Sequence, residues 1–595
     1  MKKEMDAILK NSQDQHADFT AEELDNAIKL LKTGKASGIN GITTEMIQHF
    51  GIRTKAWLLD FMNKCATECT IPKAWRKSRV VALLKPGKPP DSRKSYRPIS
   101  LLSILYKLYE RLIMTRISPT VEEKMSPDQA GFRPGRSCCD QLLNLTQYIE
   151  DGFEEKKITG TVFVDLTAAY DTVNHRILLL KVARMTHDAR IVRILQSLLS
   201  NRTFYVEMDG QKSRWRKQRN GLPQGSVLAP TLFNIYTNDQ PEFDQARRFI
   251  YADDLCIATQ SKDFKTIEER LNAALETLTA YYKVNSLNAN PTKTQVCAFH
   301  LNNHQANRKL EIHWNGQKLQ NESFPVYLGV TLDRTLSFNR HASNVKAKIA
   351  TRNNLLSKLA NSSWGANPET LKTTALALCY STGEYCSPVW ARSCHARKVD
   401  PELNRACRTI TGNLRQTPLP ALYRLAGIAP PHIRREIQTM THKFKQEIDS
   451  RHSLHGHIPP ESRLKSRKSF LTTESLNPQV TPSYLRRIEK WLEWDNLPPT
   501  EAIQPPTEQL PNGTNLPRKQ WVALNRARSK VGRTGNNLLK WGLSPTSECP
   551  CGNSRQTMEH IQQECSLGPH CTDTDLYECN DAALDFLCFW NETIR

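Results

Sequence analysis

The tetrapeptide Tyr251-Ala252-Asp253-Asp254 places two adjacent carboxylates inside an apolar run, and it constrains this chain more than any other feature. Phe249-Ile250 precede it and Leu255-Cys256-Ile257 follow it, which is typical of a strand-turn-strand hairpin with the acids at its tip. Carboxylates in apolar surroundings are costly unless a cation satisfies them. A hard divalent cation such as Mg²⁺, which prefers oxygen ligands, is the natural partner. Taken alone, the pair also fits an ordinary turn, in which Asp is common.

A third carboxylate ends another predicted strand. Thr161-Val162-Phe163-Val164 reads as a buried β-strand that ends at Asp165. Loops at strand ends converge on crevices, so an acid at this position frequently has a function. Asp165, Asp253 and Asp254 on neighbouring strands can hold two metal ions about 3.5–4 Å apart, the arrangement used for in-line displacement at phosphorus. Asp171 is instead interpreted as an acid near a helix N-terminus, where the macrodipole favours it.

The charge balance favours a polyanionic partner. Lys and Arg total 82 against 60 Asp and Glu, and a net charge of +22 is an electrostatic footprint for nucleic acid. A merely soluble basic protein is the alternative. The N-terminus lacks the apolar core of a signal peptide, and no apolar stretch approaches the ~20 residues of a membrane span. We therefore expect an intracellular protein whose 16 cysteines are reduced thiols, apart from a possible metal site at the end.

The sequence pattern divides the 595 residues into five parts. Residues 1–70 are predicted to form an N-terminal helical extension, in which Thr20 precedes a helix with acids in its first turn. Residues 71–335 alternate short apolar strands with amphipathic helices, and residues 336–450 are helical. Ten of the 33 prolines fall between 459 and 517, which predicts a linker or loosely folded segment at 451–517. A small basic, Cys-rich tail occupies residues 518–595.

One loop and one aromatic residue fit the handling of a nucleotide. In Gly221-Leu222-Pro223-Gln224-Gly225-Ser226, the bare backbone of Gly225 permits close approach of a base pair, and Gln224 can hydrogen-bond a template or nucleotide edge. Tyr170 could stand beneath the incoming sugar and exclude a 2′-hydroxyl, which would select deoxynucleotides. A plain strand-to-helix loop and ordinary core packing are the respective alternatives.

Three basic stretches are candidates for contact with phosphates. Lys85 and Arg97 lie in the first stretch and could clamp a triphosphate, although a solvated surface loop explains the charge equally well. Gly131-Phe132-Arg133-Pro134-Gly135-Arg136 is a second basic loop. In the third, a solvated hairpin is the favoured interpretation of the cations that flank Trp215, which are Lys212, Arg214, Arg216, Lys217 and Arg219.

Eight motifs follow one another in an order that is typical of one polymerase family. They are residues 34–42, Tyr96-Arg97-Pro98-Ile99-Ser100-Leu101-Leu102, Gly131-Phe132-Arg133, Phe163-Val164-Asp165-Leu166, Leu222-Pro223-Gln224-Gly225, Tyr251-Ala252-Asp253-Asp254, Asn290-Pro291-Thr292-Lys293-Thr294 and Tyr327-Leu328-Gly329-Val330. In this order they resemble the reverse transcriptases of non-LTR (LINE-type) retrotransposons, nearest the jockey-like elements. The resemblance covers roughly residues 20–450.

The resemblance implies an α+β, multidomain right-hand polymerase, with the fingers and an RRM-like palm at 71–335 and a helical thumb at 336–450. It places the three aspartates on the family's metal-binding acids and Tyr170 on its sugar-discriminating aromatic. Gln224 and Gly225 fall on its template and nucleotide loop, and Lys293 falls on a lysine proposed to protonate pyrophosphate. Tyr327-Leu328-Gly329-Val330 resembles its primer-grip hairpin, and Ser387-Pro388-Val389-Trp390 resembles a recurring thumb motif. The implied cofactor is a pair of Mg²⁺ ions.

The tail contains a Cys/His set that resembles the zinc knuckle near the C-terminus of many such elements. Three thiolates and one imidazole suit tetrahedral Zn²⁺, with His570 and Cys571 as spare donors. A few reduced cysteines are the alternative. The four candidate ligands are Cys549, Cys551, His560 and Cys565. A zinc-stapled module of this kind would grip RNA or target DNA through the preceding cations Lys519, Arg526, Arg528, Lys530 and Arg533, next to Trp521.

These features predict an RNA-directed DNA polymerase that copies RNA from a DNA 3′-end with dNTPs, in a cytoplasmic ribonucleoprotein and in the nucleus. Full elements of this family usually carry an endonuclease, and nothing resembling one precedes residue 20, so we expect a fragment or a truncated copy. A group II intron-type maturase is an alternative that would need a splicing domain after the thumb. A non-catalytic nucleic-acid-binding remnant is a second alternative, against which the three aspartates argue. A viral-type RNA polymerase is a third, against which Tyr170 argues.

Overall fold

The computed structural model describes residues 2–10, 17–464, 468–496 and 501–595, which form two compact units. Unit 1 comprises Met1–Gln141 and Lys156–Glu322, and unit 2 comprises Leu142–Glu155 and Ser323–Arg595. Among the described residues, no helix combines the length and the apolar character that crossing a membrane requires.

The strands lie almost entirely in unit 1. In chain order they are β1 (Lys77–Leu84), β2 (Tyr96–Leu101), β3 (Ile158–Val164), β4 (Arg202–Met208), β5 (Gln211–Lys212), β6 (Arg216–Gln218), β7 (Arg247–Tyr251), β8 (Asp254–Ser261), β9 (Gln295–Phe299), β10 (His313–Trp314), β11 (Gln317–Lys318), β12 (Gln320–Asn321), β13 (Val326–Tyr327) and β14 (Val330–Thr331).

The described strands of unit 1 form two larger sheets. The first has the order β2-β1-β4-β5, with β6 paired to β4, and β1 runs antiparallel to β2 but parallel to β4. The second has the order β12-β9-β3-β8-β7, with β3 antiparallel to both of its neighbours. In unit 2, β13 and β14 form a hairpin whose turn is Leu328-Gly329, both at positive φ.

Helices surround these sheets in unit 1. They are α1 (Lys2–Lys10), α2 (Ala21–Lys29), α3 (Thr44–Gln48), α4 (Ile52–Thr67), α5 (Ile104–Lys124), α6 (Cys138–Glu154), which continues into unit 2, α7 (Ala169–Thr172), α8 (His175–Thr186), α9 (Ala189–Leu199), α10 (Ala229–Thr237) and α11 (Phe264–Val284). Short 3₁₀ turns occur at Lys73–Arg76, Arg93–Ser95 and Asn303–Gln305.

The regular structure in the described part of unit 2 is helical, apart from the β13–β14 hairpin and an isolated bridge between Ala360 and Gly365. Its helices are α12 (Asn339–Ser357), α13 (Pro368–Ala375), α14 (Ser381–Glu384), α15 (Ser387–Trp390), α16 (Asp400–Thr411), α17 (Leu419–Ala426), α18 (Pro431–Ile448), α19 (Ser483–Trp494), α20 (Arg518–Arg528), α21 (Gly535–Lys540), α22 (Asp573–Glu578) and α23 (Asp581–Ile594). Ala396–Val399 and Phe470–Thr472 are 3₁₀ turns, and Leu376–Tyr380 and His560–Glu564 are π-helical.

The central strand β3 is buried because α11 packs directly on it. Every residue of β3 except Phe163 is buried. At Gly160 a Cβ atom would lie 2.2 Å from Cγ2 of Ile267 in α11, so only glycine allows the helix to approach this closely. The apolar core of unit 1 is continuous from Phe19 to Leu319 and includes Val162, Ile257 and Leu271. This packing fixes the positions at which β3 and its neighbours end.

The predicted helix start at Thr20 is confirmed. The Thr20 hydroxyl accepts a hydrogen bond from the Glu23 amide (3.2 Å), and the Glu23 carboxylate accepts one from the Thr20 amide (2.9 Å). This is a capping box, which satisfies two amides that the helix itself leaves without partners. Residue 1 and residues 11–16 of the predicted N-terminal extension lie outside the described residues.

The described parts of the proline-rich segment 451–517 are packed, which differs from the loosely folded segment that the proline density indicates. Phe470 and Trp491 are buried, and Ala502 and Ile503 join a cluster with residues of α17. Pro482 and Pro517 immediately precede α19 and α20, where a missing amide and a fixed φ cost nothing. Residues 465–467 and 497–500 lie outside the described residues, and the division into five domains stays a prediction.

Candidate functional site

Three carboxylates meet at one edge of the second sheet of unit 1. The predicted hairpin is confirmed: Tyr251 of β7 pairs with Asp254 of β8, and Ala252-Asp253 form the turn. The last residue of β3, Val164, pairs with Leu255 of β8. One step beyond that pair, Asp165 comes opposite Asp254, and opposed residues of an antiparallel pair project to the same face. The register of β3 on β8 therefore brings the strand-end acid to the acid pair of the turn.

Desolvation and neighbouring charge raise the pKa values of Asp253 and Asp254, which together with Asp165 form the acid set. Partial desolvation, followed by the charges of Asp253 and Asp165, raises the pKa of Asp254 to about 6. Desolvation also raises the pKa of Asp253, with a smaller contribution from Asp165 and an opposing one from a backbone hydrogen bond. Both side chains are exposed at the turn, so their desolvation is incomplete. Like charges crowded in this way favour a bound cation.

The residues of the acid set fit a hard metal ion. Oδ2 of Asp165 is a buried oxygen that receives no hydrogen bond from the described residues. The donor set consists of carboxylate oxygens, the ligands that Mg²⁺ prefers.

Lys293 lies beside Asp165. Its Nζ atom is 3.8 Å from Oδ2 of Asp165. Two hydrogen bonds hold the lysine loop, residues 290–294, against the end of β3. The Asn290 amide donates to the Asp165 carbonyl (2.9 Å), and the Asp165 amide donates to the Thr294 hydroxyl (3.2 Å). The sequence placed Lys293 in this neighbourhood only through family resemblance, and the hydrogen bonds supply the physical reason.

Tyr170 lies next to the acid set on the short helix α7. Its ring stacks on Phe233 with centroids 4.7 Å apart and planes 12° from parallel. Burial, and to a smaller extent the charge of Asp253, raises the pKa of the phenol. The ring is half-buried, so one side of it packs against α10 while part remains accessible. This position is compatible both with the predicted sugar contact and with core packing.

The loop that carries Gln224 and Gly225 is fixed by two neighbouring segments, one at Tyr170 and one at Ser100. The Leu222 amide donates to the Tyr170 carbonyl (2.9 Å), and the Ser100 amide donates to the Gln224 carbonyl (2.7 Å). Gly225 has φ 130°, and a Cβ atom there would lie 2.5 Å from the Ser100 carbonyl oxygen. Gly225 is thus required because a side chain would not fit between this loop and Ser100. The sequence pattern did not reveal this reason. Gln224 lines a cavity of about 430 Å³ together with Ser100, Asp171, Lys217 and Arg219.

The basic stretches differ in how accessible their charges are. The Lys85 ammonium donates to the Lys94 carbonyl (2.8 Å) and closes its own loop, whereas Arg97 is exposed on β2. The cations around Trp215 are exposed, as the predicted solvated hairpin requires. Arg133 is different, because it is buried and donates to both carboxylate oxygens of Glu122 at 3.0 and 3.2 Å through Nε. The prediction that Arg133 belongs to a phosphate-contacting loop is therefore wrong.

Two buried polar residues that support the site were missed from the sequence. Gln129 donates to and accepts from the backbone of Ala252 in the acid-bearing turn. Glu110 accepts from the Ser226 hydroxyl (2.5 Å) and the Val227 amide (2.8 Å), directly after the Gln224-Gly225 loop. The only signal in the sequence was that Gln129 lies two residues before the Gly131 motif.

The C-terminal Cys/His set is assembled. Cys549, Cys551, His560 and Cys565 offer donor atoms that all lie within 4.8 Å of one another. Sγ of Cys549 is 3.7 Å from Sγ of Cys565, close to the ~3.8 Å edge of a tetrahedron with Zn–S bonds of about 2.3 Å. Nε2 of His560 is 3.2 Å from Sγ of Cys551, while Nδ1 faces Asn553 and Glu564. The donor chemistry and spacing fit a tetrahedral metal ion, and the spare donors His570 and Cys571 are not part of the set.

The cations before this cluster are only partly accessible, which corrects the prediction that they grip nucleic acid. Arg526 and Arg528 are buried and donate to backbone carbonyls, including Gly412 (3.0 Å) and Leu576 (2.9 Å) respectively. Trp521 is also buried and donates to the Ile410 carbonyl (3.0 Å). Lys519 and Arg533 are exposed. The carbonyl groups at the C-terminal end of α16 carry partial negative charge and attract cations. The sequence alone does not show whether an arginine binds such carbonyls or lies at the surface.

The family of the central region follows from its match to known proteins. Residues 83–332 match the family model for reverse transcriptase (RNA-dependent DNA polymerase), so this part of the chain is a reverse transcriptase domain. The match contains Asp165, Asp253, Asp254 and Lys293, the residues that meet in the structure.

Curated relatives come from mobile elements. The chain is 31% identical to "Probable RNA-directed DNA polymerase from transposon BS" of Drosophila melanogaster, over 76% of this chain and 51% of the relative. It is 30% identical to "RNA-directed DNA polymerase from mobile element jockey" of the same fly, over 66% of this chain and 44% of the relative. The predicted membership among non-LTR, jockey-like reverse transcriptases is confirmed. The chain spans about half the length of these relatives.

Proposed function

We propose that the chain is an RNA-directed DNA polymerase of a non-LTR retrotransposon, which extends a DNA 3′-hydroxyl with dNTPs along an RNA template. The observation that carries this proposal is the register of β3 on β8, which sets Asp165 opposite the acids of the β7–β8 turn. The names of the relatives, which are RNA-directed DNA polymerases of mobile elements, support the same activity.

In this proposal the parts of the chain correspond to a right hand. The sheet β12-β9-β3-β8-β7 serves as the palm, the sheet that contains β1 and β2 belongs to the fingers, and the helices from α12 to α18 serve as the thumb. The β13–β14 hairpin takes the role of the primer grip. The Cys/His cluster of the tail serves as a zinc knuckle, for which the 3.7 Å separation of the Cys549 and Cys565 sulfurs is the supporting distance.

Asp165, Asp253 and Asp254 would hold two Mg²⁺ ions, which when bound activate the 3′-hydroxyl and neutralise charge on the leaving pyrophosphate. The side chains around them have distinct tasks. Lys293, whose ammonium lies 3.8 Å from Asp165, would give a proton to pyrophosphate. Tyr170 would exclude a 2′-hydroxyl, because stacking on Phe233 holds its ring in place. Gln224 would contact the template or nucleotide, and Arg97 and Lys85 the triphosphate.

The partners in this proposal are an RNA template, a DNA primer or target, and dNTPs. The net charge of +22 supports polyanionic partners. The protein would act in a cytoplasmic ribonucleoprotein and in the nucleus, where such an element meets its RNA and its target DNA.

Primer extension on poly(rA)/oligo(dT) tests the proposed activity. The purified chain is expected to incorporate dTMP in the presence of Mg²⁺ and to stop when EDTA is added. Absence of incorporation by folded, RNA-binding protein would identify a non-catalytic remnant. Incorporation of UMP as readily as dTMP would instead identify an RNA polymerase, and stimulation of splicing would revive the maturase alternative.

A further inference from the structure

The turn that carries Asp253 adopts a backbone conformation that its own sequence does not favour. Ala252 has φ 58°, in the left-handed region that L-residues with a Cβ rarely occupy. Asp253 follows in the same two-residue turn, and Asp254 begins β8. The conformation of Ala252 therefore sets the direction in which both carboxylates leave the chain. Something outside the turn must hold it, because Ala has no intrinsic preference for this geometry.

The side chain of Gln129 binds both backbone groups of Ala252. Its Oε1 accepts a hydrogen bond from the Ala252 amide (2.8 Å), and its Nε2 donates one to the Ala252 carbonyl (3.3 Å). The same Oε1 also accepts from the Gly131 amide (2.7 Å). Gln129 is 3% exposed, so these bonds form away from bulk water. A side-chain amide is the group that can donate and accept at this spacing in one plane.

Gln129 is itself held by a rigid segment beside β7. The Ala130 amide donates to the Ile250 carbonyl (2.9 Å), so residues 128–130 run alongside the strand that enters the turn. The Asn234 amide group donates to the Gly131 carbonyl (2.7 Å), and Arg133 donates to the Gln129 carbonyl (3.0 Å). At Gly131 a Cβ atom would lie 2.3 Å from the Ala252 nitrogen, which shows how closely the two backbones approach.

We infer that Gln129 is a positioning residue for the acid set: it holds Ala252 in its left-handed conformation and thereby presents Asp253 and Asp254 to the metal ions. This inference rests on the proposed polymerase function. Gln129 touches neither substrate nor metal in this account, and it acts through the backbone of the turn. Outer-shell groups of this kind commonly change metal affinity or activity by about 10- to 100-fold when they are removed.

Gln129→Met tests the inference with little change in side-chain volume, because it removes all three hydrogen bonds but leaves no large cavity. The matched control is Gln141→Met, at a buried glutamine that donates only to the Asp128 carbonyl (3.2 Å) and does not contact Ala252. Gln129→Glu is the second variant, which keeps the shape of the side chain and both accepting interactions, but places a carboxyl oxygen instead of a donor against the Ala252 carbonyl and buries a carboxyl group. Each protein is assayed for the Mg²⁺ dependence of primer extension, for Mn²⁺ binding by electron paramagnetic resonance, for primer–template affinity and for thermal unfolding.

For Gln129→Met we expect the Mg²⁺ concentration that gives half-maximal activity to rise, Mn²⁺ binding to weaken, and kcat to fall by about 10- to 100-fold. Primer–template affinity should stay within about twofold. Gln141→Met should match the wild type in Mg²⁺ dependence, Mn²⁺ binding and kcat, with a loss of thermal stability from its own missing hydrogen bond. Gln129→Glu should show the same changes, because an ionised carboxylate cannot donate to the Ala252 carbonyl, and it decides the question if the Met variant does not fold. Unaltered Mg²⁺ dependence and Mn²⁺ binding in a folded Gln129 variant would overturn the inference. Failure of the wild type to extend primers would count against the polymerase proposal alone, since Mn²⁺ binding still tests the role of Gln129.

Discussion

The ammonium group of Lys293 lies 3.8 Å from Oδ2 of Asp165, the oxygen of that carboxylate that receives no hydrogen bond from the described residues. The contact is a loose ion pair, because the lysine side chain is 68% exposed and its Nζ is beyond hydrogen-bond distance. An ammonium held in this way can turn towards a substrate phosphate without breaking a hydrogen bond to Asp165. Lys293 therefore lies next to the acid set, and its ammonium group remains accessible to a substrate.

Lys293→Met should slow nucleotide incorporation by about 10²-fold, the contribution typical of a general acid. Lys293→Arg should restore the positive charge beside Asp165 but little of the rate, because a guanidinium does not give up its proton. Single-turnover incorporation over a range of pH measures the effect. Lys265→Met, at an exposed lysine on α11, is the control. A wild-type rate for Lys293→Met would remove the lysine from the chemistry.

The pKa of Asp254 predicts how pH affects the stability of the metal-free protein. Because the pKa is raised to about 6, the folded protein binds this proton more tightly than the unfolded chain does. Stability should therefore fall as pH rises from about 4 through 6, by no more than about 1 kcal/mol since solvent screens the exposed carboxylate. Asp254→Asn should remove this part of the fall. Denaturant unfolding in EDTA at both ends of the window gives the difference, and an identical pH dependence of the two proteins would contradict the prediction.

The tail cluster should bind zinc through His560. His560→Ala removes one of four ligands and should lower the zinc content from about one ion per chain, with a loss of thermal stability. His570→Ala is the matched control, since His570 is exposed and its Nε2 contacts the Cys565 carbonyl (2.9 Å) rather than the donor set. Elemental analysis of the purified proteins measures the metal. Equal zinc content in both variants would count against the cluster.

Arg518 should stabilise unit 2 rather than bind nucleic acid. It is buried and donates to the carbonyls of Thr409 (2.6 Å), Ile410 (2.7 Å) and Asn361 (2.9 Å), at the C-terminal end of α16 and the loop before α13. Arg518→Met leaves these carbonyls without a donor and should reduce the free energy of unfolding by about 2–4 kcal/mol. The neighbouring exposed Lys519 provides the control, as Lys519→Met should change stability by less than about 0.5 kcal/mol. Equal stability of the two variants would be inconsistent with the docked arrangement of α20.

Features that depend on neighbouring residues in the chain could be predicted from the sequence. The β7–β8 hairpin follows from two apolar runs around an acidic turn, and the strand before Asp165 follows from its continuous apolar character. The capping box at Thr20 follows from a Thr that is followed three residues later by a Glu. The proximity of Asp165 to Asp254 needed the register of two strands, which the sequence does not contain. It was expected because loops at strand ends converge and because the family resemblance places the three aspartates on metal-binding acids.

Features that depend on distant backbone groups could not be predicted. Gln129, Glu110 and Arg526 are buried polar residues whose partners are amides or carbonyls far away in the chain. Residue type alone places such side chains at the surface, because polar groups are mostly exposed. The burial of Arg133 could not be predicted for the same reason, because its partner Glu122 lies in helix α5 and the local sequence does not identify the pair. The proline-rich pattern also does not show that Pro482 and Pro517 directly precede helices.

The most direct test of the account is single-turnover incorporation of dTMP on poly(rA)/oligo(dT) by Asp165→Asn, with RNA binding measured on the same protein. The amide keeps the shape of the side chain but removes a charged ligand, so incorporation should fall by at least about 10²–10³-fold while RNA affinity stays near that of the wild type. Asp244→Asn, at an exposed aspartate before β7, should behave as the wild type in both measurements. Normal incorporation by folded Asp165→Asn would contradict the account, because the strand-end carboxylate would then have no part in the chemistry.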